Sequence, residues 1–79
     1  MDNLFKEIEN TLKESVNHMT ELLFKGDNIK TAIKTLEDEN ISLPEGVYGL
    51  LAYYESEYNN ENKEYQKLLR LRDKIKNNN

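Results

Sequence analysis

The chain has 79 residues, no cysteine and a formal net charge of −4. At this length a single apolar core barely suffices to hold a fold, and without cysteine the chain can build neither a disulfide framework nor a thiolate zinc site. Apolar runs such as Leu22-Leu23-Phe24 are far shorter than the roughly 20 residues of a bilayer-spanning helix, and Met1-Asp2-Asn3 lacks the basic flank and apolar block of a signal peptide. We therefore expect a cytoplasmic protein with no membrane segment, with one domain over residues 1–76 and a disordered tail at 77–79.

A first helix is predicted from about residue 3 to residue 25. Asp2 or Asn3 can cap its first turn, and Gly26 occupies the position at which a left-handed residue commonly ends a helix. Apolar residues recur every three or four positions, which indicates one core-facing stripe. The stripe consists of Phe5, Ile8, Leu12, Val16, Met19 and Leu23.

A second, shorter helix is predicted from about residue 28 to residue 39, capped by Asp27 after the break at Gly26. Such a short connection makes the first two helices antiparallel neighbours. The acids at 37–39 lie at the negative end of the helix dipole, which indicates either a frayed, solvated end or an acidic patch for a basic partner. The residues expected to face inward are Ile29, Ala32, Ile33 and Leu36.

The longest predicted helix runs from about Leu43 to Lys76. Ser42 and Glu45 match a capping box at its start, and Pro44 fits a first turn because its missing N–H costs nothing there. Nine apolar residues at steps of three and four form one continuous stripe along it. They are Val47, Leu50, Leu51, Tyr54, Tyr58, Tyr65, Leu68, Leu69 and Ile75.

Several weak helix formers lie inside this long helix. Asn59 and Asn60 mark a possible break, and a chain that turned there would form a four-helix bundle, an architecture similar to that of small bacteriocin-immunity proteins. Gly46 and Gly49 each cost about 1 kcal/mol relative to Ala, which predicts a close backbone approach to another helix.

These segments predict an all-α fold in which a short helical hairpin is followed by one long C-terminal helix, three helices in all. The three lengths are about 33, 18 and 50 Å, so the last helix would project about 20–25 Å beyond the hairpin. The residues expected in the shared core are Leu12, Val16, Ile33, Leu36 and Leu51.

The projecting part of the long helix is the predicted contact surface. An antiparallel two-fold pairing of two copies would set Tyr65 near Leu68 of the second chain and Glu61 near Arg72, so we expect a homodimer through the long helix. Tyr53 and Leu71 lie off the main stripe and are further candidates for contact with a partner. The predicted partner-binding residues are Tyr53, Tyr65, Leu68, Leu69, Leu71, Arg72 and Ile75.

The side chains that chemistry requires are scarce. The single histidine, His18, lies near Glu14 and Glu21 at helical spacing, but no second cluster completes a coordination shell, so a solvated face is expected and no metal. No nucleophile with its base can be assembled, and no glycine-rich loop matches a phosphate site. The sequence therefore predicts a protein that is not an enzyme and holds no cofactor.

Charge is unevenly distributed: residues 1–62 hold 13 acids and 5 bases, whereas residues 63–76 hold 6 bases and 2 acids. Bases in the last turns complement the helix dipole. The leading interpretation is a small regulator or inhibitor of a larger protein, of the kind that phages and mobile elements use. The alternatives are the immunity-like bundle, nucleic-acid binding through the basic tip, which the acidic remainder disfavours, and DNA mimicry by the acidic part.

Overall fold

The computed structural model describes residues 2–77 and contains two long helices that lie antiparallel, α1 (Asp2–Asp38) and α2 (Glu45–Asn77). The hairpin measures 60 × 15 × 14 Å and has a radius of gyration of 17.9 Å, against about 12 Å for a compact domain of this length. The described range holds no strand. The predicted all-α class is therefore confirmed, in the form of a rod.

The side chains that each helix turns toward the other recur at alternating steps of three and four. This period of 3.5 residues is that of a coiled coil, in which two helices bury one continuous seam. On α1 the seam consists of Phe5, Ile8, Leu12, Ser15, Met19, Leu22, Gly26, Ile29, Ile33 and Leu36. On α2 it consists of Val47, Leu51, Tyr54, Tyr58, Glu61, Tyr65, Leu68, Arg72 and Ile75.

The predicted division of the N-terminal half into two helices is wrong, because α1 runs through Gly26-Asp27-Asn28 without a break. The seam stays in phase across this point, since Leu22, Gly26 and Ile29 are spaced by four and three residues. Packing along both sides outweighs the cost of about 1 kcal/mol for a glycine in a helix. The structure therefore has two helices instead of three.

The predicted overhang of the long helix does not exist, since α1, at 37 residues, is longer than α2, at 33 residues. The alternative break at Asn59-Asn60 is also wrong, because α2 is continuous there. Asn77 is the last residue of α2 and not part of a tail, while positions 78 and 79 of the predicted tail lie outside the described residues.

The turn between the two helices spans residues 39–44, close to the gap that the sequence predicted before the longest helix. Asn40 has φ of 59°, the left-handed conformation that commonly ends a helix. The Ile41 N–H donates to the Leu36 carbonyl at 2.9 Å and the Asn40 N–H to the Glu37 carbonyl at 3.0 Å. These two bonds form a Schellman motif, which satisfies the last carbonyls of α1.

Asn40→Gly is expected to stabilise the hairpin by about 0.5–1 kcal/mol, because glycine adopts positive φ without the steric cost that a Cβ atom brings. Urea unfolding followed by circular dichroism at 222 nm measures the change. Asn40→Ala is the matched control and should destabilise the protein. A stability that is equal in both variants would contradict the left-handed assignment.

The core of the hairpin is thin. Its five buried apolar side chains all come from α1, and none of the large side chains in residues 3–77 is completely enclosed. Of the predicted core, Leu12 and Ile33 are buried, and Leu36 and Leu51 are half-buried. Val16 is 43% exposed, contrary to prediction, because the seam passes through Ser15 instead. The five buried apolar residues are Ile8, Leu12, Met19, Leu22 and Ile33.

Candidate protein-binding surfaces

The seam divides the remaining surface of the rod into two edges. In an antiparallel coiled coil, the residues that flank the seam on a given side of one helix lie beside the residues that flank it on the same side of the other helix. We name the first edge the Leu23 edge; it comprises Glu9, Val16, Leu23, Lys30 and Glu37 of α1 with Tyr48, Glu55, Asn62, Leu69 and Lys76 of α2. We name the opposite one the Leu71 edge; it comprises Leu4, Thr11, His18, Lys25 and Ala32 of α1 with Leu50, Glu57, Glu64 and Leu71 of α2, and with Tyr53, which borders this row on its outer side.

Polar contacts cross the Leu23 edge near the turn. The Tyr48 hydroxyl donates a hydrogen bond of 2.8 Å to Glu37 Oε1, and Lys30 Nζ lies 3.8 Å from Glu55 Oε1. In each pair, a side chain of α1 on this edge contacts a side chain of α2 on the same edge. The two contacts therefore define which residues of the two helices lie at the same level.

Two grooves open on the Leu23 edge. The first, of about 350 Å³, is lined by Leu23, Gly26, Lys30, Tyr54 and Tyr58 among others. It exists because Gly26 brings no side chain to a seam position: a Cβ atom there would meet only Leu51 Cδ1, at 3.9 Å.

The second groove, of about 400 Å³, lies nearer the open end and is lined by Glu9, Val16, Tyr65 and Arg72 among others. Arg72 occupies a seam position, and its guanidinium lies 3.6 Å from Glu9 Oε1 and 3.1 Å from Asp73 Oδ1. Because all three groups are partly exposed, these pairs add little stability. They do hold the arginine side chain across the groove.

The Leu71 edge carries apolar side chains near both of its ends. Leu4 and Leu71 lie toward the open end, and Leu50 and Tyr53 lie toward the turn; all four are between 44% and 56% exposed. Thr11, His18, Glu57 and Glu64 separate the two groups. Exposed apolar groups that are rimmed by polar residues are typical of a protein-contact surface.

A polar position interrupts the seam below the Leu71 edge. Ser15 is only 7% exposed, and its hydroxyl has no hydrogen-bond partner among the described residues. Glu61, His18 and Leu68 line the adjoining groove of about 370 Å³. A buried hydroxyl without a partner costs about 1–3 kcal/mol, so this position weakens an already thin core.

The predicted partner-binding residues separate into two groups. Five of them are half-buried in the seam or beside it against α1, where they hold the hairpin together: Tyr65, Leu68, Leu69, Arg72 and Ile75. Tyr53 and Leu71 are exposed, and both lie on the Leu71 edge. Arg72, which was predicted to lie near Glu61 of a second chain, has its guanidinium 3.6 Å from Glu9 Oε1 of its own chain.

Sequence reasoning missed the exposed positions of α1, above all Val16, Leu23 and Phe24. The missing signal was the alternation of three and four residues from Phe5 onward, which places Ser15 and Leu22, and not Val16 and Leu23, on the seam. The predicted close approach of backbone at Gly46 and Gly49 is also wrong, because both glycines face open space.

The titratable side chains of the described residues are spread along both helices. Over the described part of the chain, no three His, Cys, Asp or Glu side chains are grouped so that they could hold a metal ion. The hydrogen bond from Tyr48 to Glu37 raises the pKa of Tyr48, assisted by partial desolvation and by the charge of Glu37. This pair reports the closure of the hairpin near its turn.

We expect the Tyr48 pKa to lie above the ordinary tyrosine value of about 10. Protonated Tyr48 is favoured in the folded state, so its contribution to stability is present below the unfolded-state pKa and lost as pH rises through the folded-state pKa. Absorbance titration at 295 nm of a variant whose other four tyrosines are phenylalanine isolates this group. Glu37→Gln in that background should lower the pKa; an unchanged midpoint would contradict the pairing.

Neither helix of the described range contains an apolar stretch that could cross a membrane. Comparison with protein families, with curated proteins and with solved structures found no match to this chain. The structure therefore defines the class of molecule through its own geometry: a two-helix antiparallel coiled coil whose two edges both present apolar side chains.

Proposed function

We propose that this protein is a small, non-enzymatic interaction module that regulates or inhibits a larger protein, of the phage or mobile-element type, and that it binds this partner through the Leu71 edge. The observation that carries the proposal is the pair of apolar groups on that edge, Leu4 with Leu71 and Leu50 with Tyr53. Each leucine that a partner buries contributes about 1.5–3 kcal/mol.

Tyr53 is the strongest anchor on this edge. It is 56% exposed, and its ring meets that of Tyr54 edge-on with centroids 5.6 Å apart. The Tyr54 ring is in turn approached by Lys25 Nζ, 5.8 Å from its centroid. A tyrosine held by neighbours offers large contact area with little loss of conformational entropy, which is why tyrosine is enriched among residues that dominate binding.

The chemistry of the edge restricts the partner. Glu57 and Glu64 lie between the apolar groups, and Glu14 and Glu21 border the edge on α1. A partner surface that is complementary to this edge would carry two apolar patches with basic side chains between them. The basic tip at 63–76 is a weaker contact site, since Arg72 and Lys67 already pair with Glu9 and Glu64.

Affinity capture from the source cells tests the proposal, with Tyr53→Glu and Leu71→Glu as disrupting variants. Each places a carboxylate in the apolar groups, and we expect each to lose the captured partner. Ser56→Glu is the matched control: it adds the same charge to α2 at an exposed position outside both edges, and should retain the partner. Equal recovery by all four proteins, each verified as helical by circular dichroism, would contradict the proposed surface.

A further inference from the structure

We infer that the Leu23 edge pairs with the Leu23 edge of a second copy, running in the opposite direction, so that two hairpins form a four-helix bundle. This inference concerns the edge opposite to the one proposed for the regulated partner. Either proposal can fail without the other.

The first argument is surface area. The hairpin exposes 6195 Å², whereas a compact monomer of 9.3 kDa exposes about 5,000 Å². The excess of about 1,200 Å² exceeds the roughly 800 Å² that each partner buries in an interface of standard size. Covering an area of this size by a partner would therefore give this chain the exposed area of a compact folded protein.

The second argument is the order of side chains along the edge. Lys30 faces Glu55, and Glu37 faces Tyr48, and a step of seven residues along each helix reaches the next facing pair. From the turn to the open end the pairs are Glu37 with Tyr48, Lys30 with Glu55, Leu23 with Asn62, Val16 with Leu69, and Glu9 with Lys76.

When two copies of this edge face each other in opposite directions, most of their side chains match in charge or polarity. A two-fold axis midway between the Val16 and Leu23 levels brings α1 against α1 and α2 against α2, antiparallel. Val16 then meets Leu23 of the second copy and Glu9 meets its Lys30. On α2 the same axis brings Lys76 to Glu55 of the second copy. On α1, apolar residues therefore meet in the centre, while on α2 Leu69 meets Asn62 of the second copy. Opposite charges meet at both ends.

A two-fold axis along the rod gives a parallel pairing, which brings α1 against α2 of the second copy at equal levels, with Lys30 near Glu55 and Glu9 near Lys76. These local pairs also have opposite charges, so the distribution of charge over the whole rod decides between the two orientations. An antiparallel pairing of the Leu71 edge would bring carboxylates together, either Glu57 with Glu64 of the second copy or Glu57 with itself. Like charges directly opposite destabilise a contact.

The charge of the whole rod favours the same orientation. Residues 20–60, which form the half nearest the turn, carry eight acids and three bases, whereas the remaining residues carry seven acids and eight bases. Antiparallel pairing opposes the −5 half of each copy to the +1 half of the other. Parallel pairing would oppose the two −5 halves.

Cysteine crosslinking tests the inference directly, because the chain has no cysteine of its own. Glu9→Cys and Lys30→Cys are prepared separately, mixed under partial denaturation, refolded and oxidised. We expect a covalent dimer from the mixture and little from either variant alone. In the antiparallel dimer, each cysteine lies far from the cysteine at the same position of the second copy. A mixture that gives no covalent dimer would overturn the inference, and so would a covalent dimer from a mixture of Lys30→Cys with Glu55→Cys, which a parallel arrangement would produce.

Sedimentation equilibrium supplies the second readout. Wild-type protein is expected to be dimeric at micromolar concentration, and Leu23→Glu to weaken association by roughly tenfold or more. Leu71→Glu, on the opposite edge and similarly exposed, is the control and should associate like the wild type. A monomeric wild type, or weakening by Leu71→Glu alone, would overturn the inference while leaving the proposed function open.

Discussion

Leu12→Ala is expected to lower the free energy of unfolding by about 2–5 kcal/mol, the usual cost of removing a buried leucine side chain and leaving a cavity. Leu12 is one of the five apolar side chains that are buried among residues 3–77. The free energy of unfolding of small domains is about 5–15 kcal/mol. With so few buried side chains, this hairpin should have a free energy of unfolding at or below the lower end of that range. The variant should therefore be largely unfolded at 25 °C by circular dichroism at 222 nm.

Leu50→Ala makes the same chemical change at an exposed position of α2 and is the matched control. It should alter the free energy of unfolding by no more than about 0.5 kcal/mol, as surface substitutions usually do. Urea denaturation of the two variants beside the wild type gives the comparison. An equal loss of free energy of unfolding in the two variants would contradict the assignment of Leu12 to the seam.

Gly26→Ala is expected to stabilise the hairpin by about 1 kcal/mol or more, which corresponds to a rise in melting temperature of about 4–8 °C for a domain of this size. Alanine removes the entropic cost of a glycine inside a helix. Its added Cβ atom would lie 3.9 Å from Leu51 Cδ1, an ordinary van der Waals distance, so it fills space in the seam without strain.

Gly49→Ala separates the two contributions to this gain. Gly49 lies within α2, and nothing would meet its Cβ atom within 4 Å, so only the helix-propensity part of about 1 kcal/mol applies. Thermal unfolding should therefore give the larger increase for Gly26→Ala. A destabilised Gly26→Ala beside a stabilised Gly49→Ala would mean that the helices approach too closely at Gly26 for any side chain.

The sequence predicted the helical class and the position of the turn because both depend on local chemistry. Asn40 is a residue that tolerates left-handed φ, and the apolar period of 3.5 residues is visible on either side of it. Gly26 misled the prediction because a glycine at a helix end and a glycine at a seam position look alike in one dimension. No glycine of residues 2–77 has positive φ, so Gly26 does not end a helix.

The error at Gly26 also produced the predicted overhang of the long helix. Tyr65, Leu68 and Ile75 were predicted to project beyond a short hairpin, and an α1 of 37 residues covers them instead. An apolar stripe that packs inside the chain has the same sequence signature as one that binds a partner, and only the lengths of the neighbouring helices distinguish them. Tyr53 and Leu71 are exposed because they lie off the stripe.

The uneven distribution of the core has a consequence for how the hairpin opens and closes. Four of the five buried apolar side chains found in residues 3–77 lie between Ile8 and Leu22, from near the open end to just past the middle of α1. Joining those distant segments costs only about 0.6 kcal/mol for each doubling of loop length, less than one buried leucine returns. The hairpin should therefore open locally next to its turn more often than at its open end. Amide hydrogen exchange is then expected to be slowest over residues 8–22 and faster between residues 26 and 50.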